Sequence, residues 1–238
     1  MPAQWTTAFL YYGGKRMPLT DERLSEMIRM LPKCGIVADI GADHGRLGAQ
    51  LLLTGKCGKV WFSDISAPSL EKARSLIERR GLQERAEFFV GDGARALPGA
   101  PDAAVIAGMG GETIAGILRG AGARLADSVL VLEPNVGAEL VRRALMETGR
   151  RITDERVVRA ARRRYVLIRA EKGEAAYTER DLIVGPVLRK EPSEAFREYA
   201  AFRLRVAQKA LAGAEKSGHS EKDALLTEME YWREIVEC

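Results

Sequence analysis

The chain has 238 residues, 46% of them hydrophobic and 29% charged, with a formal net charge of +4. That length suffices for one ordinary domain plus an appendage, and the composition excludes disordered and fibrous classes. No apolar run approaches the roughly 20 residues that a spanning helix needs. Cys34, Cys57 and Cys238 show neither metal-ligand spacing nor a disulfide framework. The sequence therefore predicts no membrane span, no metal, and free thiols in a reducing cytoplasm.

Residues 1–16 carry an aromatic patch at 9–12 followed by Gly13 and Gly14. They lack the basic start and small-residue tail of a signal peptide, and are expected to form a loosely ordered leader. Thr20 is the expected cap of a helix in which Leu24, Met27, Ile28 and Leu31 share a face and Pro32 ends the run. Strands and helices then alternate. Residues 36–40 read as a first strand with a helix at 47–53 behind it. Residues 60–64 read as a second, after which Ser66 caps a helix through Arg80, with Pro68 near its start and Gly81 past its end. A third strand, 86–90, runs into Gly91-Asp92-Gly93. A fourth, 103–107, runs into Gly108-Met109-Gly110-Gly111. A fifth, 129–132, is followed by Glu133-Pro134-Asn135 and a helix through Thr148. Two further strands are expected at 155–159 and 165–170. The alternation predicts an α/β domain over 17–172, a mostly parallel sheet with helices on both faces.

The pattern changes after Lys172. Phe196, Ala200, Leu204, Ala207, Leu211 and Ala214 recur at intervals of three and four, and a second stripe follows at Leu225, Met229, Trp232 and Val236. With 217–220 as a short turn between them, residues 173–238 are expected to fold as an antiparallel helical hairpin. Such a hairpin serves either as an interaction arm or only as packing for the sheet.

In an open parallel sheet, ligands bind beyond the carboxyl ends of the strands, and the informative residues sit there. Val37-Ala38-Asp39-Ile40-Gly41-Ala42-Asp43-His44-Gly45 is a buried strand entering a glycine turn. A dinucleotide loop, Gly-x-Gly-x-x-Gly counted from Gly41, needs glycine at 43 and 46, where this chain has Asp43 and Arg46. A carboxylate repels a pyrophosphate but suits a cation. S-adenosylmethionine has a sulfonium, an ammonium and no phosphate, and is the expected cofactor.

Asp64, with Ile65 beside it, can accept both hydrogens of a ribose diol, a feature common to nicotinamide and S-adenosylmethionine sites. Asp92 can accept from an adenine amine while Gly93 lets the base lie close to backbone. Gly108, Gly110 and Gly111 leave room around Met109, an adaptable apolar contact. Asp39 can orient the loop or the ligand ammonium. Asp43 and His44 are the candidate catalytic residues, Asp43 as an electrostatic partner and His44 as either a general base or a hydrogen-bonding brace. Between 142 and 164, nine arginines stand against Glu147, Asp154 and Glu155. So localised a basic cluster predicts an anionic partner, with nucleic acid the usual one.

Taken together, the stretches 38–44, 91–93, 107–111 and 132–135 and the closing hairpin resemble the bacterial tRNA (adenine-22-N1)-methyltransferase family, from about residue 19 to the C-terminus. The resemblance implies a class I Rossmann-like methyltransferase sheet with a C-terminal coiled-coil arm. It also implies S-adenosylmethionine as cofactor, and transfer of its methyl to N1 of a tRNA adenine in the cytoplasm. Arg23, Glu133, Asn135, Arg162, Arg163 and Arg164 are the expected contacts to RNA. Two departures stand out. Members often continue the first motif with Ala-Tyr-Leu-Pro, where this chain has Gly45-Arg46-Leu47-Gly48, and many have Gln where it has Glu133. Two alternatives remain on the same fold: a methyltransferase for another RNA or a small molecule, and an idle RNA-binding protein. Intact carboxylates and glycines at the strand ends speak against the second.

Overall fold

A computed structural model describes residues 9–12, 15–18, 21–161, 163–217 and 222–237. Phe9–Tyr12 (β1) and Lys15–Pro18 (β2) pair antiparallel in a two-stranded sheet of their own, within and just beyond the segment expected to be a loose leader. The expected cap, Thr20, lies outside the described residues. Asp21 caps Glu22–Met30 (α1) instead, its side chain accepting from the Arg23 amide.

The chain then alternates through Cys34–Ile40 (β3), Arg46–Leu53 (α2), Cys57–Asp64 (β4), Ala67–Arg79 (α3) and Ala86–Val90 (β5). Ser66 caps α3 through its side chain, with Pro68 in the first turn. Ala103–Gly110 (β6) and Val129–Val136 (β7) run further than their apolar cores suggested. They continue to pair past the glycines, with register shifts around Met109, a bulge that re-aims the chain at the end of β6. Gly111–Gly120 (α4), a helix not anticipated from its double-glycine start, follows β6 directly, and Ala138–Glu147 (α5) follows β7. A Cβ at Gly111 would lie 2.0 Å from the Gly137 carbonyl oxygen, so this junction needs a glycine for backbone to pass backbone.

Arg150–Ala160 (β8) and Arg163–Lys172 (β9) complete a seven-stranded sheet of order β5–β4–β3–β6–β7–β9–β8. The first five strands are mutually parallel, while β9 runs antiparallel to β7 and β8 antiparallel to β9. Period-two alternation decides what each face buries. Val37, Ala103, Val105 and Val131 point to one side, where α1, α2 and α3 cover them. Ala38, Ile40, Ala104, Ile106, Leu130 and Leu132 point to the other, under α4 and α5.

Beyond the sheet come Glu179–Val184 (α6), Glu194–Ser217 (α7) and Lys222–Glu237 (α8). The short α6 was missed, although Thr178 and Asp181 form a reciprocal capping box at its start. Tyr199 meets Trp232 edge-on and Arg203 bonds Glu228, so α7 and α8 run antiparallel. Residues 218–221 between them lie outside the described residues. Phe196, Ala200, Trp232 and Ile235, at the root of the hairpin, belong to the same apolar core as α4 and α5.

The strand order reverses between β3 and β6. One half of the chain proceeds outward from β3 to β5, the other from β6 to β7. Loops at that junction diverge to opposite faces and leave a crevice past the strand ends.

Candidate active site

The crevice is a cavity of about 1010 Å³. Asp39, Gly41, Asp43 and His44 form one wall, Asp64, Ile65, Asp92 and Gly93 the next, and Gly108 and Met109 close it. Ten of the residues singled out as cofactor contacts thus meet in one place. Gly110 and Gly111 stand behind the wall, at the start of α4. Sequence reasoning named Arg23 only as an RNA contact and missed two further contributions. Asp21, Leu24 and Met27 at the start of α1 line the cavity beside Arg23, and Thr113, Gly116 and Ile117 of α4 line it as well.

Asp39 is 6% exposed, and one carboxylate oxygen accepts from the Gly48 amide at 3.2 Å. Burial pushes its carboxyl up to about 7, a shift opposed by that amide bond and assisted by the charge of Asp64. Asp64 bridges two segments: Oδ1 accepts from the Ser66 amide at 2.8 Å and Oδ2 from the Asp43 amide at 3.2 Å. Asp43 is left-handed at φ +42° and its carboxylate pairs with Nδ1 of His44. Gly41 is also left-handed, at φ +74°, and a Cβ there would fall 1.8 Å from Cε of Met109. The glycine is what lets Met109 lie across the loop. Asp92 and Ile65 are exposed to the cavity, Ile65 at 78%.

Behind Gly108 stands Glu133, whose side chain is fully buried. Its Oε2 accepts from the Gly108 amide at 2.9 Å and from Nη1 of Arg23 at 3.1 Å, while Oε1 has no partner. Burial pushes this carboxyl up to about 7 against the pull of the Arg23 charge and the Gly108 amide. Asn135 donates to the Gly108 carbonyl at 2.7 Å, so the amide and the carbonyl of Gly108 are both held from β7. Arg23 lies 4.8 Å over the Tyr165 ring. Of the expected RNA contacts among the described residues, Arg23 alone lines the cavity, and Glu133 and Asn135 hold the Gly108 backbone behind it.

An acid-lined crevice at a strand-order reversal, with glycines where a ligand must touch backbone, is the arrangement of a nucleoside-cofactor enzyme. Residues 20–168 match the methyltransferase domain family. The chain belongs to that family. Within it, the chain is 28% identical over 229 residues to the tRNA (adenine(22)-N(1))-methyltransferase of Bacillus subtilis (strain 168), covering 91% of this chain and 96% of the relative. The crystal structure of the B. subtilis m1A22 tRNA methyltransferase TrmK superposes with a TM-score of 0.83 at 27% identity, over 91% of this chain and 98% of that one. A Streptococcus pneumoniae relative in complex with S-adenosyl-L-methionine gives 0.82 at 25% identity, over 90% and 98%.

The residues of this methyltransferase fit that cofactor. The cavity wall offers the carboxylates of Asp39, Asp43 and Asp64 to a ligand with two cationic centres, and Gly108 at φ +77° has nothing within 4 Å of where a Cβ would stand. Each oxygen of Asp64 has one amide partner and retains acceptor capacity for hydroxyl groups.

The basic segment looks different in three dimensions. Arg142 is buried on Glu155, Arg143 bonds Glu179, and Arg150 donates to the carbonyls of Ser128 and Leu125. Arg156 is held by Asp154 and Glu26, and Arg159 and Arg164 share Glu198. Arg163 and Arg151 are exposed and pair with no carboxylate among the described residues, and Arg162 lies outside them. A count along the chain overstated the free positive surface, because α1, α6 and α7 bring carboxylates to these arginines.

Among the described residues no helix is long and apolar enough to cross a membrane, and no group of His, Cys, Asp and Glu is placed to hold a metal.

Two expectations follow for this methyltransferase. Asp64→Ala should weaken S-adenosylmethionine binding by roughly 1.5–3 kcal/mol, the scale of a hydrogen bond to a charged group. Asp92→Ala should cost less, since its carboxylate is exposed and pairs loosely with Arg95 at 3.7 Å. Titration calorimetry reads both, and Asp64→Ala binding like the parent would remove Asp64 from the site.

The second concerns stability. The Asp39 carboxyl is raised in the folded state, so its stabilising contribution is complete below the unfolded carboxylate range near 4 and is lost as pH rises through about 7. Asp39→Asn abolishes that titration. Relative to the parent without ligand, the variant should therefore gain roughly 2–3 kcal/mol between pH 5 and pH 8. Urea unfolding at the two pH values measures the difference, and an equal offset at both would contradict the assignment.

Proposed function

We propose that this chain transfers a methyl group from S-adenosylmethionine to N1 of adenine 22 in tRNA, acting in the cytoplasm. The observation that carries the reading is the acidic crevice at the reversal between β3 and β6, in a chain that matches an m1A22 enzyme over nearly the whole length of both.

S-adenosylmethionine supplies, when bound, a methyl activated by its sulfonium. Asp64 takes the ribose hydroxyls, Asp92 the adenine amine, and Asp39 the ammonium. Met109, laid across Gly41, gives an apolar wall that keeps water from the methyl. N1 of neutral adenine already offers a lone pair, so no side chain has to remove a proton before attack. The chain's task is alignment and exclusion of water. Asp43 and Arg23 both line the cavity that the base enters, and Glu133 with Asn135 fixes the Gly108 backbone beside it. N1 faces its partner in any paired helix, so the target adenine has to be unpaired or flipped out to reach the crevice.

The test is methyl transfer to unfractionated tRNA followed by nucleoside mass spectrometry. N1-methyladenosine is the expected product, absent when position 22 of a transcribed tRNA is changed to guanine. Methylation of another nucleoside, or of none, would overturn the reading.

A further inference from the structure

The mouth of the cavity presents a difficulty for any RNA. Asp21, Asp43, Asp64 and Asp92 line the cavity with accessible carboxylates, and a polyanion has to bring a base past them. Three arginines stand in the same lining: Arg23, Arg46 and Arg95. Two are already committed. Arg23 is bonded to Glu133, lies 3.5 Å from Asp21 and stacks on Tyr165. Arg95 donates to the Gly120 carbonyl and faces Asp92. Arg46 is exposed and, among the described residues, has no hydrogen-bond, ion-pair or ring partner.

Its setting adds to the charge. Arg46 is the first residue of α2, and the residue before it, Gly45, is left-handed at φ +67° and provides no side-chain cap. The positive end of the helix therefore stands at the same place as the guanidinium, with the Gly48 amide of its first turn already taken by Asp39. The guanidinium is a planar, bidentate donor matched to phosphate.

We propose that Arg46 binds the backbone phosphate adjoining the target nucleotide and so positions the RNA strand at the cavity mouth. This rests on the RNA substrate proposed above. The favoured anion is a phosphate arriving from solvent rather than the carboxylate of the cofactor, because the side chain is exposed and no partner among the described residues holds it toward the cavity. Arg46 acts as a positioning residue, offsetting the repulsion that the carboxylates exert on the incoming strand.

The experiment uses the full chain, with Arg46→Gln and Arg46→Lys beside the parent. Equilibrium binding of fluorescently labelled, unfractionated tRNA is measured from 50 to 300 mM salt, and S-adenosylmethionine binding by calorimetry. Arg46→Gln should weaken tRNA binding roughly 5- to 10-fold near 0.15 M salt and lower the log–log salt slope by about 0.7–0.9, one phosphate contact. The loss should appear in KM for tRNA rather than in kcat. Arg46→Lys should restore most of the affinity, because a point charge still serves a phosphate. Cofactor affinity should match the parent. A weakened cofactor with an unchanged salt slope would assign the guanidinium to the cofactor carboxylate and overturn the proposal. Unchanged tRNA binding in Arg46→Gln, with the parent methylating tRNA normally, would overturn it while leaving the enzymatic reading intact. A parent that neither binds nor methylates tRNA would overturn both.

Discussion

Asp43→Asn should fold normally and lower turnover by about 10²–10³-fold, the range for losing one oriented electrostatic partner. Asparagine tolerates the left-handed backbone that Asp43 adopts at φ +42°, so the substitution removes charge without straining the loop. It also retains an oxygen able to meet Nδ1 of His44. What disappears is the negative charge on the cavity wall. As N1 is alkylated the adenine ring becomes cationic, and a carboxylate close to it stabilises that state more than the neutral ring that precedes it. Only this difference raises turnover, since stabilisation equal in both states would not. His44→Ala should be milder if the imidazole only braces Asp43. N1 needs no deprotonation, so single-turnover rates should be nearly flat between about pH 8 and 9, above the values near 7 to which burial pushes the Asp39 and Glu133 carboxyls. Rates rising tenfold per pH unit over that interval would instead identify a general base, with His44 the first to test.

The largest expected loss of stability lies away from the crevice. Arg142 and Glu155 are both buried, 1% and 0% exposed at their side chains, and bonded at 2.7 Å. Arg142 also donates to the carbonyls of Leu182 and Ile183, and Glu155 accepts from the amides of Val187 and Leu188. The pair thus fastens the segment leading into the α7–α8 hairpin onto α5 and β8. Glu155→Ala strands a guanidinium in the interior and should cost about 3–5 kcal/mol. The double variant Arg142→Met, Glu155→Leu should be more stable than either single one, because no charge is left buried alone. Urea denaturation of Arg142→Met, Glu155→Leu and the double variant forms the cycle. A single variant within 1 kcal/mol of the parent would show that the pair is dispensable.

Where a feature depended on neighbours in the chain, the sequence was enough. Residues 86–90 form a strand with the bounds expected of them, and Ser66 caps α3 as its chemistry requires. The carboxylates at 39, 64 and 92 fall at or next to strand ends because a charged residue closing an apolar run records where a buried strand emerges. Placing them in one crevice needed only the parallel topology, which the alternation of strands and helices already implied. The departures have different causes. Gly110-Gly111 looks like a loop, yet α4 starts there, because the backbone passes so close to Gly137 that no side chain fits. Asp21 rather than Thr20 caps α1 within the described residues, a shift of one position that capping preference cannot resolve.

The amino-acid order by itself determined the α/β alternation, the acidic glycine loop that excludes a pyrophosphate, and the helical hairpin at the C-terminal end. All three rest on periodicity or on residues within a few positions of one another. Only the tertiary structure decided which charges are free. Nine arginines in one stretch read as a basic surface, but most are committed to carboxylates or carbonyls from segments distant in sequence, such as Glu26, Glu179 and Glu198. Arg46, isolated in the sequence, is the cavity arginine left without a partner among the described residues. Whether a charge is spent or available depends on what packs beside it, and ion pairing acts over a few ångströms of space, whatever the separation along the chain.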